Sequence, residues 1–261
     1  MIKINKKECP VELTADLKRI LTEEFIKTGK SVWKKQFIEK ALLESSYNKC
    51  CYCECKIDRE SKYMEVEHFH DKNSNPHLVV EWENLLPSCK RCNGHKSTYN
   101  TVINPFINPA KMNPKEHLSI STYRFYPKTL AGKNTIDQLM LNDPKRLVLP
   151  RFEITDALLT QIDELFEKAV EYNDGTRKTI QNKNKILGTL ENLMCEGLPD
   201  SEYSGTVATE LIKNVKFFRI IHIIKIEGLW NADLENLLQQ LEGNALDFDN
   251  NSAKQFMESV T

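Results

Sequence analysis

The chain has 261 residues, 40% of them hydrophobic and 28% charged, with a net charge of −1. That length can bury a real core, as one large domain or two modest ones, and the balanced charge excludes a globally basic nucleic-acid binder. The most apolar run, from Val215 to Trp230, is too short and too often interrupted by charge to span a bilayer.

The opening residues, MIKINKKECPVEL, lack the apolar stretch of a secretory signal. A cytoplasmic protein without a membrane partner is expected, and in that reducing setting clustered cysteines hold metal rather than form disulfides. From 11 to 45 the pattern is helical, with Leu17, Ile20, Leu21 and Phe25 on one face and Phe37, Ile38 and Leu42 on the next. Gly29 separates two helices, and Thr14 is placed to cap the first with Asp16 in its opening turn.

Residues 46–100 change character. Helical periodicity gives way to cysteines, histidines and turn residues. YMEVEHF (63–69) and LLPSC (85–89) read as short strands, and KRCNGHKSTYN (90–100) as a short helix, which makes a ββα unit pinned by cysteines. Cys50-x2-Cys53 and Cys89-x2-Cys92 have the spacing with which two thiolates grip one Zn²⁺, and together they offer a closed, structural four-thiolate site. Cys51 or Cys55 could replace one ligand of the first pair. Cys9 and Cys195 are expected to be ordinary buried thiols.

Prolines crowd 101–155, where loops, a strand in LSISTYRFY and a helix near NTIDQLML are expected. Beyond about Ile154 helices dominate: DALLTQIDELFEKAVEY (156–172) carries one apolar face, and ATELIKNVKFFRIIHIIKI (208–226) reads as a second long helix, apolar on most sides and therefore buried. Charge divides along the chain, +7 over the first 155 residues and −8 over the rest. The acidic half is either a partner surface or a solvated helix face.

Between the two cysteine pairs lies EVEHFHDKNSNPHLVVEWENLLPS, with Glu67, His68, His70 and Asn84; Asn93 follows just past Cys92. Phosphodiester hydrolysis needs an activated water and a hard cation on oxygen ligands. A histidine suits the base because its ordinary pKa lies near neutrality, and Glu67 and Asn93 can supply oxygen. Adjacent strand residues point to opposite faces, so Glu67 and His68 can share a site only where the strand twists, bulges or ends.

The stretch from Cys50 to Ser97, with CCYC, EVEHF and EWENLLPSCKRCNGHKS, resembles the HNH (ββα-metal) endonucleases. It is most similar to the subgroup found in the Septu and retron-linked anti-phage defence systems, where a zinc-stapled HNH nuclease works beside a partner ATPase. NPFINPA, PKEHLSI and AGKNTIDQLMLNDPKRLVLPRFEI extend the similarity over roughly 45–155. The resemblance implies that His68 is the general base and Glu67 a ligand of the catalytic metal. Asn84 would brace the loop and orient the imidazole. Asn93 would stand where the family often has histidine as its second metal ligand, a substitution that favours Mg²⁺ or Mn²⁺; His95 is the alternative ligand. His70 is a candidate substrate contact. Lys90, Arg91 and Lys96 are candidate phosphate contacts on the short helix, or plain solvated charges.

The expectation is an α+β, mostly helical protein: N-terminal helices over 1–45, a zinc-stapled ββα nuclease domain with its proline-rich extension over 46–155, and a helical partner-binding region over 156–261. Its substrate would be nucleic acid, DNA ahead of RNA, with weak sequence preference. A non-enzymatic, zinc-stabilised nucleic-acid-binding adaptor is the competing reading; it leaves Glu67, His68 and Asn93 unexplained.

Overall fold

The computed structural model of the chain describes residues 1–57 and 63–247. The acidic tail beyond 247, part of the expected partner-binding region, lies outside the described residues. The fold is α+β, with two small antiparallel sheets among nine α-helices in the described residues. It divides into two compact units. One comprises Met1–Leu118 and Tyr126–Leu141, the other Ser119–Phe125 and everything from Asn142. The division thus falls at Leu141, while the charge changes sign near 155.

In the first unit, α1 (Ala15–Thr28) starts where the Thr14 hydroxyl accepts the Leu17 N–H. It stops at Gly29, whose φ of +68° lets its N–H close onto Phe25 O. A short turn leads into α2 (Gln36–Ser45). Leu21, Phe25, Ile38 and Leu42 pack with Val66, Val79, Val80, Trp82 and Leu85 in one cluster. The two N-terminal helices are therefore a wall of the same core as the strands. Each aliphatic side chain fully buried there contributes about 1.5–3 kcal/mol over exposure.

β1 (Met64–His68) pairs antiparallel with β2 (Leu85–Cys89), Met64 opposite Cys89 and His68 opposite Leu85. The connection is tied internally: Asp71 accepts from the Ser74 N–H and hydroxyl, and 3₁₀ turns form at Pro76–Leu78 and Trp82–Asn84. β2 runs directly into α3 (Lys90–Lys96), which ends at Ser97, a residue with φ of +46°. The helix expected over 90–100 is thus one turn shorter.

β3 (Leu118–Ser121) and β4 (Arg124–Pro127) form the second sheet, and α4 (Leu130–Leu139) follows. Gly132 in α4 sits against the chain: a Cβ there would stand 2.1 Å from the His117 carbonyl oxygen. Arg91 of α3 donates to the carbonyls of Leu139 and Met140, and Gln138 donates to His95 O, which fixes α3 against the end of α4.

The second unit packs α5 (Leu149–Asn173), α6 (Ile180–Cys195), α7 (Ser204–Ile212), α8 (Val215–Ile226) and α9 (Ala232–Asn244) around one apolar cluster. The single long helix expected over 208–226 is two. Asn214 leaves the helical region and caps α8 by accepting the Phe217 N–H, which ends α7 two residues earlier. All nine residues of α7 are buried. The expected burial of Cys9 and Cys195 is not found: Cys9 is exposed and Cys195 half-buried. Among the described residues, no helix is long and apolar enough to cross a membrane.

Candidate functional site

The sulfurs of Cys50, Cys53, Cys89 and Cys92 all lie within 4.8 Å of one another. The loop carrying the first pair folds on itself, with the Cys50 N–H donating to Cys55 O and Glu54 in the left-handed region at φ +65°. It is pinned to β2 where the Cys51 N–H donates to Pro87 O at 2.9 Å. Cys89 caps α3, its sulfur accepting the Cys92 N–H, so the second pair spans the helix start. Cys55 lies 3.4 Å from Cys53 at the margin of the cluster and Cys51 is outside it.

A tetrahedral Zn²⁺ with bonds near ~2.3 Å holds its sulfurs roughly 3.8 Å apart, and Cys53 and Cys89 stand 3.8 Å apart. Hydrogen bonds from the surrounding thiols, Cys50 first, lower the Cys89 thiol's pKa, and contacts within the same cluster push Cys53 up. Four thiols compressed in this way can hold a metal ion such as zinc, which would displace their protons.

The register carries this cluster's position to the far end of β1. Every residue of β1, Met64 to His68, lines one cavity, so Glu67 and His68 both open onto it although the pairing stays regular through His68. That cavity, of about 440 Å³, is also lined by Glu65, Asp71, Lys72 and Asn93. Trp33, from the turn before α2, forms a wall; its ring meets the His68 ring edge to face at 4.6 Å.

His68 is 5% exposed, and its Nε2 is 2.9 Å from Val79 O. A carbonyl only accepts, so Nε2 carries the proton and Nδ1 keeps the lone pair. Burial lowers the imidazole pKa to about 4, which keeps the ring neutral at neutral pH. Glu67 is 1% exposed, and burial pushes its carboxyl up to about 7 against the pull of Lys96. The Lys96 Nζ is 2.5 Å from Glu67 Oε1 and donates to His68 O at 2.8 Å. Lys96 is fully buried, so its ammonium faces the end of the strand and not solvent.

Asn84 makes three bonds that close the connection. Its Oδ1 accepts the His70 N–H at 2.7 Å, and its Nδ2 donates to the carbonyls of His70 and Leu78. Leu78 precedes the carbonyl that receives His68 Nε2, so Asn84 sets the turn that sets the imidazole. Asn93, on α3, donates from Nδ2 to Glu65 Oε2 at 2.6 Å. His95 is not part of the cavity wall. His70 turns away: its Nδ1 bonds the Thr101 hydroxyl at 2.9 Å, beside a separate cavity containing Lys111 and Glu83. Lys90 is exposed, and Arg91 is occupied with the end of α4.

The structure therefore brings Glu67, His68 and Asn93 to one cavity and leaves His70, Lys90, Arg91 and His95 out of its lining. It adds Glu65, Trp33, Asp71 and Lys72, which the sequence reading did not single out. Glu65 was recoverable from strand parity, being two residues before Glu67. Trp33 carried no local signal.

No family model matches the chain. It is 43% identical over 246 residues to a Septu protein PtuB from Bacillus thuringiensis, covering 94% of this chain and 95% of that protein. It is 29% identical over 170 residues to a Septu protein PtuB from Bacillus mycoides (strain KBAB4), covering 52% of this chain and 55% of that protein.

Proposed function

This chain belongs to the Septu PtuB family, and from that premise we propose that it is a metal-dependent HNH endonuclease acting in anti-phage defence. The observation that carries the reading is the meeting of Glu67, His68 and Asn93 in one cavity along β1. A structural fold needs no neutral, buried imidazole aimed into a polar cavity beside a buried carboxylate. The pairing of β1 with β2, followed by α3, supports a ββα core of the HNH kind, stapled by Zn²⁺ on Cys50, Cys53, Cys89 and Cys92.

The donor set fits a hard cation. Lys96 engages Oε1 of Glu67 and leaves Oε2, and the Asn93 amide gives its NH₂ to Glu65 and leaves its oxygen. Oxygen donors of this kind suit Mg²⁺ or Mn²⁺. Glu67 and Asn93 would hold such an ion, which would supply stabilisation of the charge that develops on the phosphate and the departing oxygen.

His68 Nδ1 takes a proton from a water molecule, whose oxygen forms a bond to phosphorus as the bond to O3′ breaks. The departing O3′ takes a proton from solvent, so the products are a 5′-phosphate and a 3′-hydroxyl, and the imidazolium releases the proton it abstracted back to solvent. The Nε2–Val79 bond holds the ring in the tautomer this step requires, and Trp33 excludes water from one side of it. Asn84 keeps the Val79 turn in place. Lys96 ties the strand end to α3 by one buried side chain. Lys72, over the Trp33 ring at the cavity rim, is a candidate phosphate contact.

DNA is the favoured substrate and RNA the alternative. The acidic helical region from 156 onward is where a partner ATPase would dock. A plasmid-nicking assay tests the nuclease reading, with an RNA arm and with the neighbouring gene product added or omitted. Cleavage that requires Mg²⁺ or Mn²⁺ and falls by about 10²–10⁴-fold in His68→Ala is the expected result. Full activity in that variant removes His68 from the chemistry.

A further inference from the structure

Glu65 and Glu67 are two apart on β1 and so share a face, while Asn93 and Lys96 are three apart on α3 and share the side turned toward that face. Two cross-links result, Glu67 to Lys96 and Glu65 to Asn93. The nuclease mechanism uses the first carboxylate and not the second.

Resting on the nuclease reading, we infer that Glu65 is the positioning residue that turns Asn93 so that its carboxamide oxygen, not its NH₂, is presented to the catalytic cation. A primary carboxamide has two ends of nearly equal shape and opposite use. Its oxygen can ligate a cation; its NH₂ is a donor and cannot. In a free asparagine a rotation about the last torsion exchanges them. The Glu65 carboxylate is acceptor-only, and at 2.6 Å from Nδ2 it admits only the NH₂ end. The oxygen then lies on the opposite side of the amide.

Glu65 thus does for an asparagine ligand what an outer carboxylate does for a histidine ligand: it fixes which atom is offered. The inference makes Glu65 a requirement of asparagine at this position.

The test is a titration of Mn²⁺ into the zinc-loaded full-length chain, read by the loss of the free-ion electron paramagnetic resonance signal. Wild type is compared with Glu65→Ala, Glu65→Gln, Asn93→Ala and the Glu65→Ala/Asn93→Ala double variant, with zinc content as the folding control. Glu65→Ser replaces Glu65→Ala if the latter loses zinc. Glu65→Ala is expected to weaken Mn²⁺ binding by about 10–100-fold. Glu65→Gln, whose side-chain oxygen can still accept from Nδ2, retains most of the affinity. The double variant binds no worse than Asn93→Ala alone, because a residue acting only through Asn93 has nothing left to act on.

Wild-type affinity in Glu65→Ala overturns the inference and leaves the nuclease reading standing. Equal loss in Glu65→Ala and Glu65→Gln, or additive loss in the double variant, makes Glu65 a direct ligand and also overturns it. A wild-type chain that neither binds Mn²⁺ nor cleaves nucleic acid removes both readings together.

Discussion

Between Cys50 and Lys96 the chain buries Glu67, His68, Asp71, Asn84 and Lys96 within a few turns of one another. The cluster that joins α5 through α9 is built of leucine, isoleucine, phenylalanine, valine and alanine, with Met194 and Tyr172. The two regions differ in what their interiors do. A buried carboxylate, imidazole or ammonium loses hydration that its partners only partly restore, so the first region gives up stability to keep these polar groups dry and aligned. The second gains stability from each apolar side chain it buries. Four cysteine sulfurs close enough together to hold one metal ion lie beside that polar interior.

The widest separation between the two should come from removing metal. Chelation, or Cys92→Ser, takes away a contribution that in small zinc modules is about 10–16 kcal/mol. The expected outcome is loss of cleavage and of near-ultraviolet signal from Trp33 and Trp82, with the helical signal of α5–α9 retained. Coincident loss of both would mean the two regions fold as one cooperative body. The converse variant is Leu190→Ala, at a fully buried position of α6. It should destabilise the second unit by about 2–5 kcal/mol in urea melts, and leave zinc content and metal-dependent cleavage unchanged at temperatures where that unit stays folded.

A smaller effect is expected at Asn84, inside the polar region. Asn84→Ala strips partners from the His70 N–H and the carbonyls of His70 and Leu78. The cost is about 1–3 kcal/mol for each buried group left unpaired. Cleavage should fall while zinc content holds, because the Val79 carbonyl that fixes His68 loses its support but the cysteines do not. Intact activity with intact zinc would show that the turn keeps its shape without the amide.

How much of this was legible in advance follows the same division. The polar region announced itself because rare residues stand there at short intervals: the cysteine pairs, Glu67–His68 and Asn93. What decided whether Glu67 and His68 could share a cavity was the space beside β1 that Trp33 and Asn93 help to line, a tertiary fact. Trp33 reaches the imidazole from 35 positions earlier, and no local pattern signals such a contact. In the apolar region continuous hydrophobicity hid the break at Asn214, although an asparagine three residues before Phe217 is a usable cap signal. Lys96 read as a candidate phosphate contact because cationic helix residues usually face solvent; here the helix turns that residue inward onto the strand end.

The finest test of the contrast uses the one buried carboxylate among the described residues of the second unit. Glu210, on α7, is 4% exposed, and burial pushes its carboxyl above the ordinary range although Lys213 beside it pulls the other way. Its pKa is therefore higher in the folded than in the unfolded chain, and between the two values the folded state holds more protons. Stability of the second unit must then rise as pH falls from neutrality toward 4.5. Glu210→Gln should flatten that dependence in urea melts of the second transition. A slope of the opposite sign, or one unchanged in Glu210→Gln, would mean that Lys213 outweighs burial and that even the apolar unit keeps one carboxylate charged at net gain. That would narrow the difference between the two regions without removing it, since the first still buries Glu67, His68, Asp71, Asn84 and Lys96.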